Sequence, residues 1–115
     1  MASIWERVEA ALETLSPAVP FAANVYVSSS GAQLPDLFLV YFLVSSPVAQ
    51  VADDAETQRS YRVQVTHYSR AGLVGLPDVK AAMVAAGFVT SSKREIPYDR
   101  TTRHYGLVEE YVFAE

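Results

Sequence analysis

The chain has 115 residues, of which 50% are hydrophobic and 19% charged, with no cysteine and a formal net charge of −4. This length and composition predict one globular domain over residues 1–115 that folds without disulfides or metals, and the lack of cysteine excludes thiolate catalysis and thiolate metal sites. The net negative charge, without a lysine-rich stripe, argues against primary or sequence-specific nucleic-acid binding.

The first predicted element is an amphipathic helix that begins at Ser3. Ser3 and Glu6 have the spacing of a capping box, in which each side chain bonds to the backbone N–H of the other. Ser16 and Pro17 are predicted to end the helix. Charged residues interrupt the apolar core that a signal peptide needs, so we expect neither secretion nor a membrane anchor. The apolar residues at helical spacing predict one buried stripe: Ile4, Trp5, Val8, Ala11, Leu12 and Leu15.

The central strand of the domain is predicted at residues 37–44, which read LFLVYFLV. This run is too short to span a membrane, and its β-branched and aromatic residues favour a strand. Alternate side chains of a strand point to opposite faces, so both faces of this strand must be covered. Helices can cover one face, and the other needs a second layer, a folded-over loop or another subunit. A shorter strand is predicted within residues 22–28, followed by a serine-rich loop at 28–31.

An acidic segment at residues 47–56 is predicted to be an exposed loop or the tip of a long hairpin. Its carboxylates, Asp53, Asp54 and Glu56, lack the spacing and the glycine of a calcium loop, so a solvated segment is the preferred interpretation. Residues 61–68 then alternate between apolar and polar side chains and predict a strand. This strand is expected to pair antiparallel with the central strand across the acidic segment.

The second half of the chain predicts a helix and a β-hairpin. The helix covers residues 77–86, with Pro77 at its first position and Gly87 just beyond its end. A strand from 88 to 98, a polar turn at 99–103 and a strand at 104–113 follow. The predicted order is therefore α-β-β-β-α-β-β, an α+β domain with a mainly antiparallel sheet and two helices packed on one face.

No catalytic motif accompanies the two histidines, His67 and His104. His67 lies on the apolar side of its strand, which favours a core or interface role. The serine clusters are typical of turns and do not indicate a nucleophile. The sequence therefore predicts no enzyme, cofactor or metal site. The alternative, a small ligand-binding or enzymatic α+β domain, requires a pocket that gathers His67 or His104 with Asp99 or Glu109.

Charge is distributed unevenly along the chain. Residues 1–56 contain one basic and seven acidic residues, whereas residues 57–115 contain eight basic and six acidic residues. Such asymmetry suits head-to-tail packing of identical subunits, in which an acidic surface meets a basic one. Two solvated faces on a monomer would give the same pattern.

Three segments of the chain form a pattern together: LPDLFLVYFLVSSP (34–47), ETQRSYRVQVTHYSR (56–70) and REIPYDRTTRHYGLVEEYVFAE (94–115). The first contains Pro35 and the apolar strand with Tyr41, the second runs from Arg62–Val65 into Tyr68 and Ser69, and the last contains Tyr105 and Gly106 before the closing aromatic strand. In this order they resemble small tail-completion or tail-terminator proteins of tailed bacteriophages and prophages. The resemblance extends over nearly the whole chain, from the N-terminal helix to the last strand.

The resemblance implies an α+β subunit that forms a homo-oligomeric ring, usually a hexamer, which caps the tail tube and offers the surface to which the head docks. It implies no catalytic residues, partners among the tail-tube and head-completion proteins, and residence in the virion tail or neck after assembly in the host cytoplasm. A head-completion or connector protein of the same assembly is the nearest alternative. Segments 47–56 and 93–103 are interface candidates, or ordinary solvated loops. The candidate interface residues are Asp53, Asp54, Glu56, Arg62, Lys93, Arg94, Arg100 and Arg103.

Overall fold

A computed structural model describes residues 3–24, 34–45, 48–52 and 55–114, with backbone alone at 45, 48–52 and 55–59. These residues form two helices and six strands. In chain order the elements are α1 (Ile4–Leu12), β1 (Phe21–Ala23), β2 (Leu37–Ser45), β3 (Val48–Ala52), β4 (Ala55–Ser69), α2 (Val79–Ala85), β5 (Val89–Asp99) and β6 (His104–Ala114).

The sheet has the strand order β1-β2-β4-β6-β5, and β3 pairs with the outer part of β4. The predicted α+β class is confirmed, but the sheet is mixed. β1 runs parallel to β2, whereas the other pairings in the described residues are antiparallel. A parallel pair needs a crossover connection, and residues 24–36 supply the length for one. The predicted element order is correct except for β3, which adds a strand before β4.

Residues 37–44 lie in β2, an interior strand between β1 and β4, although the middle strand of the sheet is β4. Leu39 and Tyr41 enter a core cluster that also contains side chains of both helices, so the helices lie on this face. On the opposite face Phe38 and Val40 are also buried, at 4% and 8% exposure. The expectation that both faces are covered therefore holds for the first half of β2, whereas Val44 near its end is 43% exposed.

Helix α1 begins as predicted, because both hydrogen bonds of the Ser3–Glu6 capping box are present. Two details of the prediction are wrong. Trp5 is 48% exposed, since it lies a third of a turn away from the buried Ile4. The helix also ends at Leu12, before the predicted end at Ser16 and Pro17. Beyond Leu12 the backbone bonds tighten to i→i+3, and the Thr14 hydroxyl donates to the Ala11 carbonyl at 2.6 Å, which competes with continued helix.

The described start of the predicted strand within residues 22–28 belongs to β1. Strand β1 covers Phe21–Ala23, and Asn24 has a φ of 63°, in the left-handed region, which ends the strand. Residues 25–33, which include the predicted serine-rich loop at 28–31, lie outside the described residues.

Residues 48–52 and 55–59 form a two-stranded hairpin, here called the hairpin arm. The pairings Ser45↔Arg62, Val48↔Arg59 and Ala52↔Ala55 show that β3 continues along the edge of β4 that β2 occupies. Pairing of β4 with β6 begins only at Ser60↔Ala114. The arm therefore projects past the end of β6, and the molecule measures 52 × 27 × 24 Å. Of the two forms predicted for residues 47–56, an exposed loop or the tip of a long hairpin, the described residues form the hairpin; Pro47, Asp53 and Asp54 lie outside the described residues.

The second helix and the closing hairpin follow the prediction closely. Asp78 caps α2 by accepting a hydrogen bond from the Ala81 amide, so the helix starts two residues later than predicted, and Val79 and Met83 are buried. Strands β5 and β6 pair antiparallel, as predicted. The side chain of Ile96 on β5 lies over Gly106 of β6, so that a Cβ at Gly106 would lie 2.1 Å from Cγ1 of Ile96.

Candidate functional site

A carboxylate on β6 lies at the centre of a polar cluster on the helix side of the sheet. The register pairs Glu109 with Val65 of β4 and with Lys93 of β5, so His67 and Lys93 both lie beside it. Nε2 of His67 lies 2.9 Å from Oε1 of Glu109, and the Tyr111 hydroxyl donates to the same oxygen at 2.9 Å. Lys93 Nζ lies 3.9 Å from Oε2. These four residues are here called the Glu109 cluster.

The cluster is largely removed from water. His67 and Tyr111 are each 1% exposed, and the Glu109 side chain is 12% exposed. Burial by itself raises the pKa of Glu109, but hydrogen bonds from His67 and Tyr111 and the nearby Lys93 charge outweigh it, so the pKa lies below its ordinary value. Burial and the Glu109 charge raise the pKa of Tyr111, which stays protonated and donates.

A groove of about 410 Å³ opens beside the cluster, between the start of α2 and strands β4, β5 and β6. A smaller groove of about 290 Å³ shares Lys80, Lys93 and Glu109 with it. The larger groove is here called the Glu109 groove. Besides Glu109 and His67, it is lined by leucines and by side chains of both charges. Its leucines are Leu73, Leu76 and Leu107, and its charged groups are Asp78, Lys80 and Lys93.

Of the four combinations of His67 or His104 with Asp99 or Glu109 that would indicate a ligand-binding or enzymatic domain, the structure forms one. His67 and Glu109 meet beside the groove, whereas His104 and Asp99 serve other purposes. His104 Nε2 lies 2.8 Å from the Pro35 carbonyl oxygen. The Asp99 carboxylate accepts from the amides of residues 101 and 102 and so fixes the β5–β6 turn.

Sequence reasoning missed Tyr111 and Lys80 as members of this region. The signal for Tyr111 was present, because the period-2 alternation of β6 places residues 107, 109 and 111 on one face. The signal for Lys80 was absent, since its position depends on how α2 docks on the sheet. The alternating pattern also could not show that His67 contacts Glu109, because that contact depends on the register of β4 against β6.

The predicted interface residues do not form one cluster. Arg62 is tied within its own subunit, since its Nη1 donates to Ser91 Oγ at 2.7 Å and to Glu110 Oε1 at 3.1 Å. Lys93 belongs to the Glu109 cluster. The other basic candidates are exposed on β5 and the turn that follows: Arg94, Arg100 and Arg103. Asp53 and Asp54 lie outside the described residues, and for Glu56 the backbone alone places it in β4.

The Glu109 cluster suits binding better than proton transfer. A carboxylate with a lowered pKa is ionised at neutral pH and is a weak base. The other ring nitrogen of His67, Nδ1, is buried without a hydrogen-bond partner among the described residues, so it does not meet a reactant in the groove. Within the described ranges, the structure contains no group of three or more His, Cys, Asp or Glu that could hold a metal ion.

Neither helix in the described part of the chain is long and apolar enough to cross a membrane. No protein-family model matches the sequence, and no curated protein matches it significantly.

Acidification is expected to remove the stabilisation that Glu109 contributes. Because the pKa of Glu109 is lower in the folded state, its contribution to stability is complete at pH values above its ordinary pKa of 4.5. The contribution is lost as the pH falls through the lowered pKa of the folded state. Urea denaturation of the wild type and Glu109→Gln would measure it. The difference in free energy of unfolding between the two proteins should shrink as the pH decreases below about 4.5. A difference that is the same at neutral and acidic pH would contradict this assignment.

Proposed function

We propose that the protein is a structural subunit of a tailed phage or prophage that assembles into a ring at the tail end and joins the tail to the head. The resemblance of three chain segments to tail-terminator proteins supports this function. The feature of the structure that carries it is the hairpin arm, which projects from the body of a subunit whose far sheet edge is exposed.

The far edge of the sheet is strand β5. Ten of its eleven residues are exposed, and the exception, Ile96, is half-buried. No other strand in the described residues pairs with its outer edge. An unpaired edge presents backbone N–H and C=O groups to which a strand from another chain can be added. The β5 edge is therefore one of the two surfaces that a ring subunit needs.

The hairpin arm is the second surface. Subunits of a closed ring use two different surfaces, one for each neighbour, and the arm and the β5 edge belong to different parts of the sheet. Their sequences also carry opposite charge. The arm segment contains Asp53, Asp54 and Glu56 with one arginine, whereas residues 93–103 contain one lysine and three arginines with two acidic residues. We propose that the arm of one subunit docks on the β5 edge of the next.

The remaining parts of the proposal follow from the family that the chain resembles. The ring is a hexamer, its two open faces contact the tail-tube and head-completion proteins, and it resides in the virion tail or neck after assembly in the host cytoplasm. The subunit has no catalytic role, in keeping with the weakly basic Glu109. A head-completion or connector ring of the same assembly would use the same two surfaces.

Reversing two charges at the β5 edge is expected to weaken assembly. Arg94→Glu with Arg100→Glu places negative charge where the acidic arm would dock, so the proportion of rings at low salt should fall while the monomer stays folded. Light scattering across a concentration and salt series, with negative-stain imaging of the largest species, measures the change. Adding Asp53→Arg and Asp54→Arg to the same chain should restore rings, because the charges are then exchanged.

The matched control changes net charge equally on the helix side of the molecule. Arg7→Glu with Lys80→Glu alters two basic residues that belong to neither surface, so assembly should match that of the wild type. If the wild type is monomeric under every condition, self-assembly through these surfaces is wrong. If the edge variant and the control assemble alike, the ring does not use the β5 edge.

The Glu109 groove favours a second candidate function, a small ligand-binding domain. This function is supported by the contact between His67 and Glu109 beside a groove of about 410 Å³. Pockets that hold small molecules commonly have volumes of roughly 300–1,000 Å³.

A further inference from the structure

The two oxygens of the Glu109 carboxylate have different surroundings. Oε1 meets both His67 and the Tyr111 hydroxyl, each at 2.9 Å. Oε2 has no hydrogen-bond donor among the described residues, and its nearest cation, Lys93 Nζ, lies 3.9 Å away. The side chain is 12% exposed and lines the groove. Oε2 is therefore the carboxylate oxygen without a donor from the described residues, and a ligand in the groove can supply one.

We propose that the Glu109 groove binds a free α-amino acid with an aliphatic side chain. The ammonium group of the ligand donates to Oε2 of Glu109, and its carboxylate lies by the ammonium groups of Lys80 and Lys93. This inference goes beyond ring assembly, since it concerns a groove on the helix side of the sheet. Of the residues proposed to hold the ligand, Lys93 alone belongs to β5, and its ammonium group lies 3.9 Å from Glu109 Oε2.

Charge balance selects a zwitterion over a simple ion. Asp78 and Glu109 bring two negative charges to the groove, and Lys80 and Lys93 bring two positive ones. A simple amine would satisfy Glu109 but leave both lysines facing a cation. A simple carboxylate would pair with the lysines but would be repelled by the negative charge of Glu109. A ligand that carries both groups pairs with each sign in turn and leaves the groove neutral.

The apolar wall of the groove selects the side chain. Leu73, Leu76 and Leu107 are half-buried and line the same space. An aliphatic side chain placed against them removes apolar surface from water on both molecules. The proximity of these leucines to the charged groups matches an α-amino acid, in which both charges and the side chain start from one carbon.

Nuclear magnetic resonance titration of the full ¹⁵N-labelled chain tests the proposal with three related probes. These are L-leucine, isopentylamine, which lacks the carboxylate, and 4-methylpentanoate, which lacks the ammonium group. We expect leucine to shift the amide resonances of residues 93, 107 and 109 in a saturable manner, with an affinity about tenfold or more above that of either analogue. If leucine causes no saturable shift, or if either analogue binds as tightly, the proposal is wrong.

Two variants identify the groups that hold the ligand. Glu109→Gln should weaken leucine binding about tenfold or more, because the ammonium then loses its charged acceptor. Glu110→Gln is the matched control, since this neighbour points to the opposite face and bonds Arg62, and its affinity should stay within about twofold of the wild type. Equal weakening by both changes would overturn the assignment.

Lys93→Met provides a second test of the proposal if the Glu109→Gln variant fails to fold. The Lys93 side chain is 66% exposed, so its removal leaves the core intact. The variant should bind leucine only about as tightly as it binds isopentylamine, because discrimination by the carboxylate is reduced. Undiminished preference for leucine in this variant would contradict the placement of the ligand carboxylate. Glu109→Gln leaves the arm and β5 unchanged, and binding is followed by titration rather than by assembly, so a failure here is separable from a failure to form rings.

Discussion

Leu39→Ala is expected to lower the free energy of unfolding by about 2–5 kcal/mol. Leu39 is fully buried at 0% exposure, in the strand that lies between β1 and β4. Removing its branched end eliminates apolar burial and leaves a cavity between the sheet and the helices, and both effects favour the unfolded chain. Urea denaturation monitored by circular dichroism measures the loss.

The control for this change keeps the volume of the side chain. Leu39→Met should lower the free energy of unfolding by less than about 1.5 kcal/mol, because a flexible thioether fills nearly the same space. Two variants of equal stability would show that the core cluster does not depend on Leu39.

Gly106→Ala is expected to lower the free energy of unfolding by about 1–3 kcal/mol, the usual effect of overpacking. The new Cβ would lie 2.1 Å from Cγ1 and 2.3 Å from Cδ1 of Ile96. Both atoms belong to a side chain that already lies over the glycine, so either Ile96 changes rotamer or β5 moves away from β6. Thermal and urea denaturation measure the effect on the folded subunit.

A double-mutant cycle tests whether the contact itself is the cause. Ile96→Ala removes the obstructing atoms, so Gly106→Ala should have a much smaller effect in that background, with a coupling energy of roughly 0.5–3 kcal/mol. Additive effects of the two substitutions would show that the glycine is required for another reason. Because β5 is the edge proposed to receive the arm, the same variants should be checked for assembly.

Local patterns in the sequence are sufficient for the elements that carry their own signals. The Ser3–Glu6 capping box fixed the start of α1, because both of its hydrogen bonds are made within one turn. The apolar run of β2 needed burial on both faces, and the structure buries Phe38 and Val40 as well as Leu39 and Tyr41. Trp5 was wrongly predicted to be buried, because a hydrophobic stripe does not specify how much of the helix surface the sheet can cover.

The antiparallel pairing of β2 with β4 was predicted correctly, but features that depend on the exact register or on the extent of pairing could not be predicted. Residues 48–59 contain few β-branched residues and no clean alternation, so their pattern resembles a loop. They form strands because β2 has already aligned the chain with β4, and the arm extends that pairing. The cluster has the same origin, since the alternation of β4 and β6 places His67 and Glu109 on a common face, but only their register brings the two side chains to 2.9 Å.

The pairing of the long hairpin has a consequence for the order of folding. From Ala52↔Ala55 to Leu37↔Ser69, each pair lies farther apart along the chain than the one before, in a register that shifts only at small irregularities. If the pairs nearest the turn form first, each later pair closes only a short additional loop, and the entropy of loop closure is lost in small steps. In that order of folding, the arm pairs first and brings β2 next to β4. A subunit without the arm would have to form the same pairing directly between residues far apart along the chain.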